Sequence, residues 1–185
     1  MIIGICGKSG CGKSTLANQI IELTNHSAVH LDIDQIGHQV LLLSKVKKEL
    51  VKAFGESIFI NQEVDRKRLG KITFHSKKEM AKLTDITWNY MQIEIDRFLS
   101  LHQDKIVILD WQLLFITKYF PMCDIKILLD IPYEIRKERA MKRDHITEEA
   151  FNLREQASIS FREEEFDYVF KTNNINEIKG MVKSL

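Results

Sequence analysis

Proline and glycine are scarce in this chain: two Pro, Pro121 and Pro132, and eight Gly among 185 residues. That excludes collagen-like and low-complexity architectures, and no tract rich in Ser and Gly marks a flexible linker. The three cysteines, Cys6, Cys11 and Cys123, cannot all pair and share no metal-ligand spacing, which excludes a disulfide scaffold and fits a reducing compartment. Neither sign of charge dominates, with 27 Lys and Arg against 26 Asp and Glu, so there is no bulk positive field to hold a nucleic-acid backbone. Apolar runs such as Val40 to Leu43 fall far short of the roughly 20 residues a membrane span needs. With no basic leader before MIIGIC, the expectation is a soluble, cytoplasmic protein without membrane or nucleic-acid partners.

What is present is enough apolar sequence, 44%, to build one full core. Short apolar runs of strand length recur at 1–6, 28–31, 106–109, 125–129 and 168–170, separated by longer stretches with helical periodicity. This alternation predicts an α/β protein with a five-stranded parallel sheet between layers of helices. The stretch between the second and third runs is too long for one crossover helix and contains no Pro, so it reads as several helices. Within a single domain of residues 1–185, a helical insert is expected at 57–102. Dense Arg, Lys and Glu follow from Arg136 to Glu165, broken near Asp144 to Thr147, where Thr147 before Glu148 and Glu149 resembles a helix start. Two hinged helices forming a lid at 136–160 are expected.

Gly7-Lys8-Ser9-Gly10-Cys11-Gly12-Lys13-Ser14 fits G-x-x-x-x-G-K-[ST] in full, between an apolar strand and a helical segment, which is the context this phosphate-binding motif requires. Gly7, Ser9, Gly10, Cys11 and Gly12 offer backbone N–H groups to a nucleotide phosphate. The helix after them adds its positive end, and Lys13 places a cation between β- and γ-oxygens. Ser14 offers a hydroxyl to Mg²⁺, and Thr15 completes the nucleotide-binding stretch. Cys11 beside Lys13 and a helix start invites a reactive-thiolate reading, against plain packing of a small residue.

The second apolar run ends in Asp32-Ile33-Asp34, at the strand end where parallel sheets bind ligands. One carboxylate suits orientation of a substrate hydroxyl and acceptance of its proton, the other suits Mg²⁺ or its waters, and the residues alone leave the assignment open. Both could instead cap the following helix. Arg136, Arg139 and Arg143 recur at helical spacing, forming a cationic edge for a polyphosphate unless nearby Glu134, Glu138, Glu148 and Glu149 hold them in surface ion pairs. Arg66 can clamp a substrate phosphate or pair with Asp65.

From Ile2 to about Asn174 the chain resembles the dephospho-CoA kinases, P-loop enzymes that use ATP to phosphorylate the ribose 3′-hydroxyl of dephospho-CoA. The likeness rests on the phosphate loop and Asp32-Ile33-Asp34-Gln35-Ile36-Gly37-His38. It extends over Ala53-Phe54-Gly55 with Val64-Asp65-Arg66-Lys67-Arg68-Leu69 and Ile72-Thr73-Phe74, then Val107 to Asp110 with Leu113-Leu114-Phe115, and Phe166 to Val169. The resemblance implies that Asp34 is the catalytic base, that Asp32 assists the metal or the hydroxyl, and that Arg139 and Arg143 are lid arginines. The sequence departs from the family at Trp88-Asn89, where His-Pro is usual, at Gln112 for Pro, at Ile116 for Glu, and at Thr172 and Asn174 near the nucleotide base.

The expected protein is therefore a P-loop kinase with ATP and Mg²⁺ as cofactors and dephospho-CoA as its small-molecule substrate. Lys13, Asp34 and Arg139 would act in catalysis, Ser14 and Asp32 at the metal, Arg143 on the nucleotide, and Asp32 and Arg66 on the substrate. Two other readings stay open: a nucleoside or nucleotide kinase of the uridine kinase type, and a nucleotide-binding module that has lost catalysis, suggested by Trp88 and Ile116.

Overall fold

Ile2–Cys6 forms β1, in which Ile3 and Ile5 are wholly buried on one side while Gly4 meets Cys123 and Leu114 on the other. The computed structural model describes residues 1–172 and 174–183; Asn173, between the two positions where base recognition departs from the family, lies outside them. After β1 come α1 (Lys13–Leu23) and β2 (Ala28–Asp32), then α2 (Ile33–Val40) and α3 (Ser44–Phe54). A short hairpin of β3 (Phe59–Ile60) and β4 (Glu63–Val64) precedes α4 (Arg66–Thr73) and the long α5 (Lys77–Leu101). The chain continues with β5 (Ile106–Asp110), β6 (Ile125–Leu129), α6 (Tyr133–Asp144), α7 (Glu148–Gln156), β7 (Tyr168–Phe170) and α8 (Ile175–Lys183).

Two compact units result, one from residues 1–32 and 98–185, the other from residues 33–97. The first holds a five-stranded sheet in the order β2-β5-β1-β6-β7, every neighbouring pair parallel. The α/β class and the five parallel strands expected from the apolar runs are both present. β1 and β5 are buried on both faces and read as continuous apolar runs, Ile2 to Cys6 and Ile106 to Leu109, whereas β6 carries the half-buried Lys126 among Ile125, Ile127, Leu128 and Leu129. Leu16, Ala17 and Ile20 of α1 join Ile178 and Met181 of α8 over Ile3, Ile5, Ile108 and Ile127. Each fully buried aliphatic side chain of this kind contributes about 1.5–3 kcal/mol. Against Phe115 pack Phe120, Phe161 and Phe166, ring centroids 5.0–5.7 Å apart. The carboxyl ends of β1, β2 and β5 lie side by side, and this edge carries the phosphate loop.

The second unit begins with α2, earlier than the insert boundary of 57–102 read from the sequence. Its helices are amphipathic: Ile33, Ile36 and Val40 of α2, Val46 and Leu50 of α3, and Thr87, Met91 and Ile95 of α5 are its buried stripes. α2 and α3 thus belong to the same compact unit as the segment from residue 57 onward. The hairpin turns at Asn61 and Gln62, both at positive φ (50° and 66°), as a two-residue loop with the twist of its strands requires. Lys47 Nζ on Glu63 Oε1, 2.6 Å, ties it to α3.

Candidate active site

The phosphate loop leaves β1 at Gly7 and enters α1 at Lys13. Gly12 caps that helix at φ 95°, ψ 28°, a left-handed conformation in which a Cβ is strained. Gly10, at φ 81°, lies so close to the backbone of Arg136 that any Cβ would overlap the Arg136 carbonyl oxygen. A turn closed by Cys11 N–H on the Lys8 carbonyl, 3.2 Å, bends the loop, and Lys13 Nζ donates to the Gly7 carbonyl at 3.2 Å. The amides of the loop, the positive end of an 11-residue helix and the Lys13 ammonium are therefore gathered around one short segment.

Cys11 contributes packing here. Burial pushes its thiol up, over the opposing pull of Lys13, and the same cause pushes Cys6 and Cys123 up to about 12. All three thiols are buried, so the reactive-thiolate reading of Cys11 gives way to that of a small residue filling the loop.

Where α1 starts, Ser14 Oγ donates to Asp110 Oδ2 at 2.7 Å. Asp110 ends β5 and is only 3% exposed, and His30 Nε2 of β2 lies 3.3 Å from the same carboxylate oxygen. Parallel register pairs Asp110 with Asp32, the last residue of β2, so both carboxylates stand on one face at the sheet's carboxyl edge. The sequence reading passed over Asp110 as part of a strand motif and gave it no task. Its signal was an acidic residue ending a buried strand, the same signal that singled out Asp32. Ser14, Asp110 and Asp32 are all hard oxygen donors of the kind Mg²⁺ takes. Among the described residues no group of three or more His, Cys, Asp or Glu side chains is arranged to hold a metal ion.

Of the three arginines on α6, Arg136 is 5% exposed and structural: its guanidinium forks onto Glu155 of α7 at 2.8 and 3.1 Å while Nε donates to the Ile131 carbonyl at 2.8 Å. Arg139 is exposed. Arg143 donates to Asp144 at 2.7 and 3.0 Å, so the structure places it on the carboxylate that ends α6. Arg154 of α7 bonds the same Asp144, joining the two helices across the turn at His145. Hydrogen bonds from Arg143 and Arg154, the former dominant, hold Asp144 down to about 2 against the opposing effect of burial. A depressed carboxylate stabilises the fold above its unfolded value near 4, and that contribution is lost as pH falls through about 2. Asp144→Asn is therefore expected to cost about 1 kcal/mol at pH 7 after solvent screening, or roughly 2–4 °C in thermal melting. The gap from wild type should close as the melts are repeated toward pH 2, and a gap constant over that range would contradict the assignment.

In the second unit, Asp34 is exposed in the first turn of α2, because β2 stops at Asp32. Asp32 and Asp34 are thus not period-two neighbours on one strand. Arg66 opens α4 and lines a cleft of about 370 Å³ with Gln35, His38, Gln39, Leu41, Leu42 and Val64. Asp65 is the helix cap: its Oδ1 accepts from the N–H groups of Lys67 (2.8 Å) and Arg68 (3.2 Å), and the Arg68 guanidinium lies 3.6 Å away. The partner of Asp65 is Arg68, which leaves Arg66 on the cleft.

The family profile for dephospho-CoA kinase matches residues 1–177. The dephospho-CoA kinase of Aquifex aeolicus is 35% identical over 99% of this chain and 94% of its own length. Among solved structures, TT1252 from Thermus thermophilus has a TM-score of 0.79 at 25% identity, covering 100% of this chain and 95% of that one. Dephospho-CoA kinase from Campylobacter jejuni shares the fold at a TM-score of 0.56 and 21% identity, covering 99% and 94%. A complete phosphate loop, an acidic strand end bonded to its serine and a family match along nearly the whole sequence lead to one conclusion: this chain belongs to the dephospho-CoA kinase family.

Proposed function

We propose that the chain transfers the γ-phosphoryl group of ATP to the ribose 3′-hydroxyl of dephospho-CoA, giving ADP and coenzyme A, the last step in making that cofactor. The observation that carries this reading is the Ser14–Asp110 hydrogen bond at the foot of a complete phosphate loop. It gathers oxygen donors beside the amides and the ammonium of Lys13, as nucleoside triphosphate chemistry needs.

The loop amides of residues 7–14 and Lys13 bind the β- and γ-phosphates, with Thr15 continuing the contact. Ser14 and Asp110, with Asp32, are the residues that would hold Mg²⁺, which when bound neutralises the phosphate oxygens. Asp34 orients the 3′-hydroxyl and accepts its proton as the 3′-oxygen bonds to the γ-phosphorus. The bond from that phosphorus to the β–γ bridging oxygen breaks, and ADP leaves with the electron pair. Arg139 stabilises the equatorial oxygens during transfer, and Arg143 joins it on leaving Asp144. Arg66, on its cleft, pairs with the phosphates of the acceptor.

The test is ADP release from Mg·ATP with dephospho-CoA against a panel of nucleosides and nucleoside monophosphates. The proposal expects turnover with dephospho-CoA at least roughly a hundredfold more efficient than with any other member, the discrimination a site built around several polar contacts can reach. A nucleoside preferred over dephospho-CoA, or ATP binding with no acceptor turned over at all, would overturn it.

A further inference from the structure

The phosphate loop contains a second lysine. Lys8 follows Gly7, and its Nζ donates to Glu155 Oε1 at 2.7 Å, reaching from the loop to the last turn of α7. The same Glu155 is already gripped by Arg136 through both of its oxygens, at 2.8 and 3.1 Å. A carboxylate held in a bidentate guanidinium fork keeps a full counter-charge without a third partner. The members also differ in how firmly they are fixed. The Arg136 side chain is 7% exposed, and it is anchored by the Ile131 carbonyl, whereas the Lys8 side chain is 32% exposed and, among the described residues, bonded to Glu155 alone. Lys8 is the member that can leave at least cost.

A polyphosphate entering the loop would bring several negative charges to the segment from which Lys8 projects. We propose that Lys8 is a second phosphate-recognising cation beside Lys13, held on Glu155 until an anion occupies the loop, so that polyphosphate and Glu155 compete for its ammonium. This rests on the kinase reading and adds to it a specificity residue and a coupling: nucleotide arrival removes one of the two partners, Arg136 and Lys8, by which Glu155 attaches α7 to α6 and the phosphate loop. Burial, the largest single effect on Glu155, pushes it up, but the hydrogen bonds and charges of Arg136 and Lys8 together outweigh it and hold Glu155 low, as the carboxylate this exchange requires.

Equilibrium binding of ATP, ADP and AMP with Mg²⁺ to the full chain, without acceptor, tests it through three variants: Lys8→Met, Glu155→Gln and their combination, each with its thermal melt. Lys8→Met is expected to weaken ATP binding roughly tenfold and AMP binding hardly at all. Glu155→Gln removes the competitor while leaving an amide oxygen for Arg136, and is expected to tighten ATP binding by roughly threefold even though it lowers the melting temperature. In the double variant that gain disappears, and ATP binds as it does to Lys8→Met alone. A purely structural ion pair gives another pattern, with both single variants weakening ATP binding and the double variant no weaker than the weaker single because the pair is lost only once, or with no variant changing it; either overturns the proposal. If wild type binds ATP and Lys8→Met binds it equally well, this inference alone is lost, whereas a wild type that binds no ATP removes the kinase reading with it.

Discussion

Asp34→Asn is expected to slow phosphoryl transfer by roughly 10²- to 10⁴-fold while leaving the ATP dissociation constant within about twofold of wild type. Asparagine keeps the shape and the hydrogen-bonding reach of the side chain but cannot accept the hydroxyl proton. The prediction separates two roles that the position of Asp34 allows. An acidic side chain in the first turn of a helix is also a favourable partner for the helix dipole, worth about 0.3–1 kcal/mol. If that were its whole task, the substitution would lower stability slightly and leave turnover intact. Because Asp34 is exposed, the variant should fold, and the rate is read without interference from unfolding. Wild-type turnover in this variant removes Asp34 from the mechanism.

Asp110→Asn should have the second-largest effect, and should be visible in binding as well as in rate. The amide can still accept from Ser14, but it no longer supplies the negative charge that a divalent cation beside Ser14 would need. The Mg²⁺ concentration for half-maximal ATP binding should rise roughly 10- to 100-fold, while ATP binding measured in chelator should not weaken. A buried carboxylate kept only for its hydrogen bonds to Ser14 and His30 would behave differently. Its loss would then lower the melting temperature and leave the Mg²⁺ requirement unchanged, which would contradict the metal assignment.

These two aspartates show what was legible in the sequence. The five strands of the sheet could be placed within a residue or two because β1 and β5 are buried on both faces and read as apolar runs, and because Lys126 is the one charged residue within β6. The phosphate loop was legible because its glycines and lysine are local, fixed by the conformation of eight consecutive residues. The end of β2 was harder: Ile33, Ile36 and Val40 already carry the spacing of a helix, so Asp34 belongs to α2 rather than to a continuing strand. β3 and β4 are two residues each, too short for any period to register, and their turn at Asn61-Gln62 lacks the glycine that usually announces one.

What remained hidden is what depends on distant partners. Ser14 and Asp110 are 96 positions apart, and only the parallel register of β1, β2 and β5 makes them neighbours. Arg136, Arg139 and Arg143 share one helical spacing, yet Arg136 is buried because Glu155, 19 positions further on, folds back to it. Lys8 meets the same carboxylate across 147 positions. Local pattern therefore identified the phosphate loop and the cationic helix, while the division of labour among like residues came from tertiary contacts.

Where the phosphate goes is the most direct test of the proposed transfer. Incubating the full chain with dephospho-CoA, Mg²⁺ and ATP carrying ¹⁸O in its γ-phosphoryl group, then analysing the product by mass spectrometry and ³¹P NMR, reads this in one experiment. One labelled phosphoryl group per product molecule is expected, attached at the ribose 3′-oxygen, with ADP formed in equal amount. Labelled inorganic phosphate with dephospho-CoA unchanged, or a phosphoryl group at any other oxygen, would contradict it.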